Sequence, residues 1–162
     1  NLEKRLNSGT TDTVIVDNES QYGTKGKNIS VNTLVDRLNI AYRDRFRSFL
    51  NEFVNNKRGY KLLINATYRT LKRSAELKQQ NAKNASPGKS AHNYGVGLDF
   101  NLILPDGDIL RKKENREIWL KTEIVDIAIR NGLQWGGNYS SYKDYIHFYI
   151  KDPQIDLPNV LS

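Results

Sequence analysis

His92 and His147 are the only two imidazoles in the 162-residue chain. Each has an aspartate close by in sequence: Asp99 seven positions after His92, and Asp144 three before His147. There is no cysteine, so thiolate metal sites, disulfide scaffolds and cysteine nucleophiles are excluded. What remains is nitrogen and oxygen chemistry. His92, Asp99 and His147 offer two imidazole nitrogens and one carboxylate oxygen, a normal catalytic zinc set with a fourth position left for water. Asp144 would be an acidic group near that water but not bound to the metal, which is the place of a general base.

A lone histidine is more often a satisfied structural residue than a ligand, so the surroundings must decide. In a helix, seven residues would separate His92 from Asp99 by about 10.5 Å, too far for one metal ion. In a straight strand they would lie about 23 Å apart and on opposite faces. A shared metal therefore requires the chain to bend back between them, and Gly95 and Gly97 supply the backbone freedom. Beyond the bend, Leu98, Phe100, Leu102 and Leu104 share one face of a predicted strand, while Asp99 and Asn101 share the other. The last predicted strand repeats the pattern: Ile146, Phe148 and Ile150 on one face, Tyr145, His147 and Tyr149 on the other. In both strands the apolar face suits a core, leaving Asp99 and His147 towards a polar cleft.

These strands need a scaffold. Residues 1–28 are polar and read as an extension or linker, with Val14-Ile15-Val16 as one short strand. Behind a Ser30 cap, apolar residues recur at helical spacing from Val31 to Val54, predicting one helix of seven turns with Arg37, Arg43, Arg45 and Arg47 on its solvated face. A strand follows from Tyr60 to Ala66, a helix over 71–83, a loop over 83–89, the strand from Gly97 to Leu104 and a turn at Pro105–Asp108. A second long helix spans 115–131 with Gly132 as its stop; Trp135-Gly136-Gly137 and the final strand, 145–150, close the order. This predicts an α+β domain over 29–152, with a small antiparallel sheet and flanking helices, and a tail over 153–162.

Lys and Arg number 25 against 18 Asp and Glu, a formal charge of +7 that favours anionic partners. No zinc finger, glycine-rich phosphate loop or basic-aromatic stripe accompanies it, so nucleic acid is not the expected partner. No apolar run approaches the roughly 20 residues of a membrane span. The chain also lacks methionine, so Asn1 is not a translation start, and a longer polypeptide or lytic assembly is expected around it.

Ser90-x-His92-x-x-Gly95-x-Gly97-x-Asp99, followed by Asp144-x-x-His147-Phe148, resembles the motifs of the zinc peptidases of the VanY-type D-alanyl-D-alanine carboxypeptidase family. That family also includes D,D-dipeptidases and L-alanyl-D-glutamate endopeptidases. The resemblance runs from about Leu62 to Phe148, and two gapped motifs in the right order are far more specific than either alone. It implies a hedgehog/D,D-peptidase-like fold with Zn2+ in a cleft on the sheet, held by His92, Asp99 and His147, with Asp144 as catalytic base. Arg69, in Tyr68-Arg69-Thr70, matches the family's arginine and would hold a substrate carboxylate or the developing oxyanion. Ser90, Trp135 of the W-G-G segment and Tyr149 are the implied substrate contacts. Gly97, Ser74, Tyr139 and Tyr149 depart from the usual residues at positions that bear on substrate preference. The implied substrate is the peptide stem of peptidoglycan, cut by an endopeptidase or a D,D-carboxypeptidase. The implied place of action is the periplasm or cell wall, reached by secretion, phage delivery or injection. The alternative is a non-catalytic wall-binding or structural module that keeps the zinc site.

Overall fold

Among the described residues seven short strands form one sheet: β1 (Thr13–Val16), β2 (Asn28–Ser30), β3 (Lys61–Ala66), β4 (Gly97–Ile103), β5 (Ile109–Leu110), β6 (Gln134–Trp135) and β7 (His147–Tyr149). The computed structural model describes residues 12–17 and 19–155; most of the expected 153–162 tail and the first part of the 1–28 extension lie outside the described residues. The strand order is β2-β1-β3-β4-β7-β6, with β5 added to β4. Every pairing is antiparallel except β1 with β3. That parallel pair is a departure from the all-antiparallel expectation. Val14 and Val16, 1% and 0% exposed, anchor β1 in the core, and Ile15 and Val16 pair with Leu63 and Ile64. A boundary at residue 28 therefore assigns an integral strand to the extension.

Among the described residues five α-helices flank the sheet: α1 (Val31–Val35), α2 (Arg43–Asn56), α3 (Leu71–Gln80), α4 (Arg116–Lys121) and α5 (Ile124–Arg130). Ser30 caps α1 as expected, its Oγ accepting from Thr33 N at 3.0 Å. The single seven-turn helix is not formed. The chain leaves α1 after Val35 because Asn39 has better partners elsewhere. Its N–H donates to Gly95 O at 2.9 Å and its Nδ2 to Tyr94 O at 3.1 Å. Its Oδ1 accepts from Ala41 N at 3.0 Å, starting a new 3-10 turn. The expected 115–131 helix is likewise two. Thr122 Oγ1 donates to Trp119 O at 2.6 Å and accepts from Ile124 N at 3.2 Å, and Glu123 turns the chain at φ 68°. The break lets Trp119 and Ile124, each 0% exposed, both reach the core.

One sheet face is the core. Phe46, Phe49, Leu50 and Phe53 of α2 are buried against it. Phe100 and Phe148 stack at 4.9 Å with planes 3° apart, and Phe49 lies 5.7 Å from Phe148. Each such side chain contributes about 1.5–3 kcal/mol by leaving water. Strand alternation then sends the neighbours of Phe100 and Phe148 to the other face. Asp99 and His147 are those neighbours.

Candidate active site

Register brings the first two donors together. Asp99 on β4 is paired directly with His147 on β7, and His147 Nδ1 lies 2.6 Å from Asp99 Oδ1. His92 comes from a 3-10 turn, Ala91–Tyr94, capped by Ser90, whose Oγ accepts from His92 N at 3.2 Å. Gly95 then reverses the chain at φ 68°, where an added Cβ would also sit 2.7 Å from Asn39 N. The bend required by the sequence is thus built as expected, and it delivers His92 Nε2 to 3.1 Å from Asp99 Oδ2. At Gly97 a Cβ would stand 3.2 Å from Cε1 of both imidazoles, so the missing side chain leaves room for the two rings.

Donor atoms of His92, Asp99 and His147 all lie within 4.8 Å of one another. Their chemistry fits a divalent cation. His92 Nδ1 is 2.7 Å from Thr67 O, and a carbonyl only accepts, so Nδ1 carries the proton. In a neutral His92, Nε2 then aims a lone pair at the Asp99 carboxylate, and only a cation or a second proton between them removes that repulsion. A carbonyl-anchored imidazole with its other nitrogen free is the usual arrangement of a metal-bound histidine. Burial alone would raise the Asp99 pKa, but the charges and hydrogen bonds of His92 and His147 outweigh it and hold the carboxyl below its ordinary range. Burial also works against charge on His147, yet the Asp99 carboxylate more than offsets it and the imidazole pKa is raised.

Asp144 sits in the turn that leads into β7, which starts two residues later than the sequence pattern predicts. Its N–H donates to Gly136 O at 3.0 Å and its carbonyl accepts from His147 N at 3.2 Å. Its carboxylate Oδ1 is buried with no hydrogen-bond partner among the described residues. Burial, with the Asp99 charge adding to it, raises the Asp144 pKa; His147, Lys112 and His92 pull the other way. A buried carboxylate kept free of donors is suited to taking a proton.

Gly136 makes this approach possible: a Cβ there would stand 2.5 Å from Asp144 O and 3.1 Å from the Cβ atoms of Asp144 and His147. Gly136→Ala is expected to force the two segments apart, at the about 1–3 kcal/mol typical of overpacking. Differential scanning fluorimetry should show a Tm several degrees lower. An unchanged Tm would mean that this contact is slack.

The donors open into a cleft of about 730 Å³ that Arg69, Ser90, Asp144, Tyr139 and Tyr142 also line. Arg69 N donates to His92 O at 2.9 Å and Arg69 O accepts from Asn93 Nδ2 at 3.0 Å, tying the arginine segment to the histidine turn. Burial lowers the Arg69 pKa, and the Asp99 charge counteracts it. Trp135 and Tyr149, the other implied substrate contacts, are not among the residues that line this cleft. Trp135 pairs with Phe148 in the sheet, is 1% exposed, and donates from Nε1 to Tyr145 O at 2.8 Å. Tyr149 is 6% exposed and stacks on His147 at 5.3 Å, with Tyr139 packed 5.6 Å from it. The sequence reading missed Thr67, Tyr142, Lys112 and Asn93. Asn93 also donates to Ser74 Oγ at 2.9 Å and accepts from Gly88 N at 3.0 Å, so it staples the cleft rim. Thr67 acts through a backbone carbonyl, which leaves no side-chain signal.

Residues 83–150 match the family model described as D-alanyl-D-alanine carboxypeptidase. The chain is 36% identical over 103 residues to the peptidoglycan L-alanyl-D-glutamate endopeptidase CwlK of Bacillus subtilis (strain 168), covering 56% of this chain and 60% of that protein. Among solved structures it is similar to the Serratia marcescens L-Ala D-Glu endopeptidase ChiX, with a TM-score of 0.55 and 16% identity over 75% of this chain and 86% of the other, which shows a shared fold. The vancomycin resistance D,D-pentapeptidase VanY from the VanB-type cassette, in complex with Zn(II), gives a TM-score of 0.47 and 16% identity over 87% and 80% of the two chains. The motif resemblance and the family match coincide on one segment, which holds His92, Asp99, Asp144 and His147, and it is over residues 83–150 that the chain is similar to the D-alanyl-D-alanine carboxypeptidase family.

Proposed function

We propose that the chain is a zinc peptidase that hydrolyses the peptide stem of peptidoglycan between L-alanine and D-glutamate. The observation that carries this reading is the convergence of three donors within 4.8 Å beside a buried, unpartnered carboxylate in one open cleft. The 36% identical relative, an L-alanyl-D-glutamate endopeptidase, supports the choice of bond. We assign His92, Asp99 and His147 as the metal ligands. Zinc, when bound, supplies Lewis acidity that makes water a nucleophile near neutral pH and polarises the scissile carbonyl. Asp144 takes a proton from the attacking water as the new C–O bond forms, then returns it to the nitrogen as the C–N bond breaks. Arg69, in the same cleft, holds a substrate carboxylate or the negative charge on the tetrahedral oxygen. Ser90, which lines the cleft, is assigned as a substrate contact. The site of action is the cell wall or periplasm; no helix among the described residues is long and apolar enough to cross a membrane.

Zinc-loaded protein incubated with purified muropeptides and read by mass spectrometry tests the proposal. Stem peptides that begin at D-glutamate, absent after chelation, are the expected products. Release of free D-alanine would assign a carboxypeptidase instead. Zinc-bound protein that retains sacculi without cutting them would establish a wall-binding module and overturn the reading.

A further inference from the structure

The buried carboxylate of Glu19 lies outside the chemistry described so far. Glu19 is 5% exposed, on the segment between β1 and β2 that the sequence presents as a polar extension. It accepts a hydrogen bond from the Thr67 hydroxyl and an ion pair from Arg37 Nη1 at 3.3 Å. Arg37 is itself held by Thr24 Oγ1 at 3.2 Å and lies 4.2 Å over the Tyr22 ring. The grip extends one residue further, because Gln21 Nε2 donates to Tyr68 O at 2.8 Å. Residues 19–24 thus clamp Thr67 and Tyr68 from one side.

On the other side, the same short segment faces the site. Thr67 O is the acceptor that fixes the proton on His92 Nδ1, and Arg69 N binds His92 O. The segment follows a register shift at the end of β3, where the ladder stops holding the backbone. Thr67 is 0% exposed, and its side chain has Glu19 as acceptor where a ladder partner would otherwise fix the strand.

We propose that Glu19 is a positioning residue for the metal site, acting through Thr67 to hold His92 with Nε2 free for the ion. The inference rests on His92 being a metal ligand. A buried carboxylate balanced by one arginine is costly to maintain, and breaking such a pair leaves an uncompensated charge. Here its retention secures a carbonyl that must stay within hydrogen-bond reach of an imidazole. Partners of this kind typically change metal affinity 10–100-fold when removed.

The test uses the full 162-residue chain. Zinc affinity is measured by competition with a chromophoric chelator, and the metal-free His92 tautomer by 15N NMR of the imidazole. Glu19→Ala and Thr67→Val are expected to weaken zinc by about 10-fold or more and to lose the fixed Nδ1–H state. Glu19→Gln, which can still accept from Thr67, should recover most of the affinity. Thr122→Val removes another buried hydroxyl, one that bonds only locally at Trp119 and Ile124, and should lower Tm without moving zinc affinity. Zinc affinity and tautomer unchanged in folded Thr67→Val would overturn the proposal, whether or not Glu19→Ala folds. If wild-type protein binds no zinc, the metal-site reading fails instead, and the tautomer measurement still reports on Glu19.

Discussion

Asparagine in place of Asp144 is expected to cut turnover by about 100- to 10,000-fold while zinc stays bound, the usual scale for losing a general base. The substitution is close to isosteric. Both backbone hydrogen bonds of Asp144, to Gly136 and to His147, survive it. What is lost is the carboxylate whose Oδ1 is buried without a partner. An amide cannot take the proton that the attacking water must give up.

Stability supplies a second, opposite readout. Burial and the Asp99 charge raise the Asp144 pKa in the metal-free fold. A raised carboxyl pKa means that the folded protein binds protons more readily than the unfolded chain, so this group favours folding at low pH and opposes it as pH rises through the folded pKa. Neutral asparagine removes that opposition. Metal-free Asp144→Asn should therefore melt at or above the wild-type temperature at pH 7 while being nearly inactive. A variant that is inactive because it is unfolded would melt lower. The pH–rate profile of the wild type should have an acid limb set by Asp144, and the variant should lack that limb.

Much of the site was legible because strand alternation is a two-residue rule. Leu98, Phe100 and Leu102 announce one face of β4, which leaves Asp99 on the other; Phe148 does the same for His147. Gly95 announced the reversal that brings His92 round, while Gly97, read as part of the same bend, instead opens β4 and leaves room for the two imidazoles. Helix continuity was not legible, since apolar spacing persists through Leu38 although the chain turns there. The decision lies with Asn39, whose partners Tyr94 and Gly95 are more than fifty residues away in sequence and are only known once the site is folded. The place of Trp135 was not legible for a related reason. Its W-G-G context indicates a cleft wall, but β6 pairing sets it opposite Phe148 and hence into the core. The strand at Val14-Ile15-Val16 was legible but its place inside the sheet was not: a short strand in a polar stretch looks like part of an extension until β3 is there to pair with it.

Removing the Asp99 carboxylate should have the largest effect on the metal itself. Asp99 meets both histidines, Oδ1 at 2.6 Å from His147 and Oδ2 at 3.1 Å from His92, so it is the one donor that spans the cluster. Asp99→Ala leaves two imidazoles with no negative charge between them, and zinc binding is expected to be lost. For wild-type protein, zinc at 1,000 times its Kd should stabilise the fold by about 4 kcal/mol, several degrees in Tm. The variant should show no zinc-dependent rise. Its metal-free stability has a distinct pH signature. The lowered Asp99 pKa contributes stability that is present above the unfolded carboxyl value and lost as pH falls through the folded one. The raised His147 pKa contributes stability that is full below the unfolded imidazole value and lost as pH rises through the folded one. Both are complete only between about pH 4 and 6.5. The gap in Tm between wild type and Asp99→Ala, both metal-free, should be widest in that window and narrow on either side. A gap that does not vary with pH would show that Asp99 and His147 are not an ion pair in the folded protein, and a zinc-dependent Tm rise that survives the substitution would remove Asp99 from the ligand set.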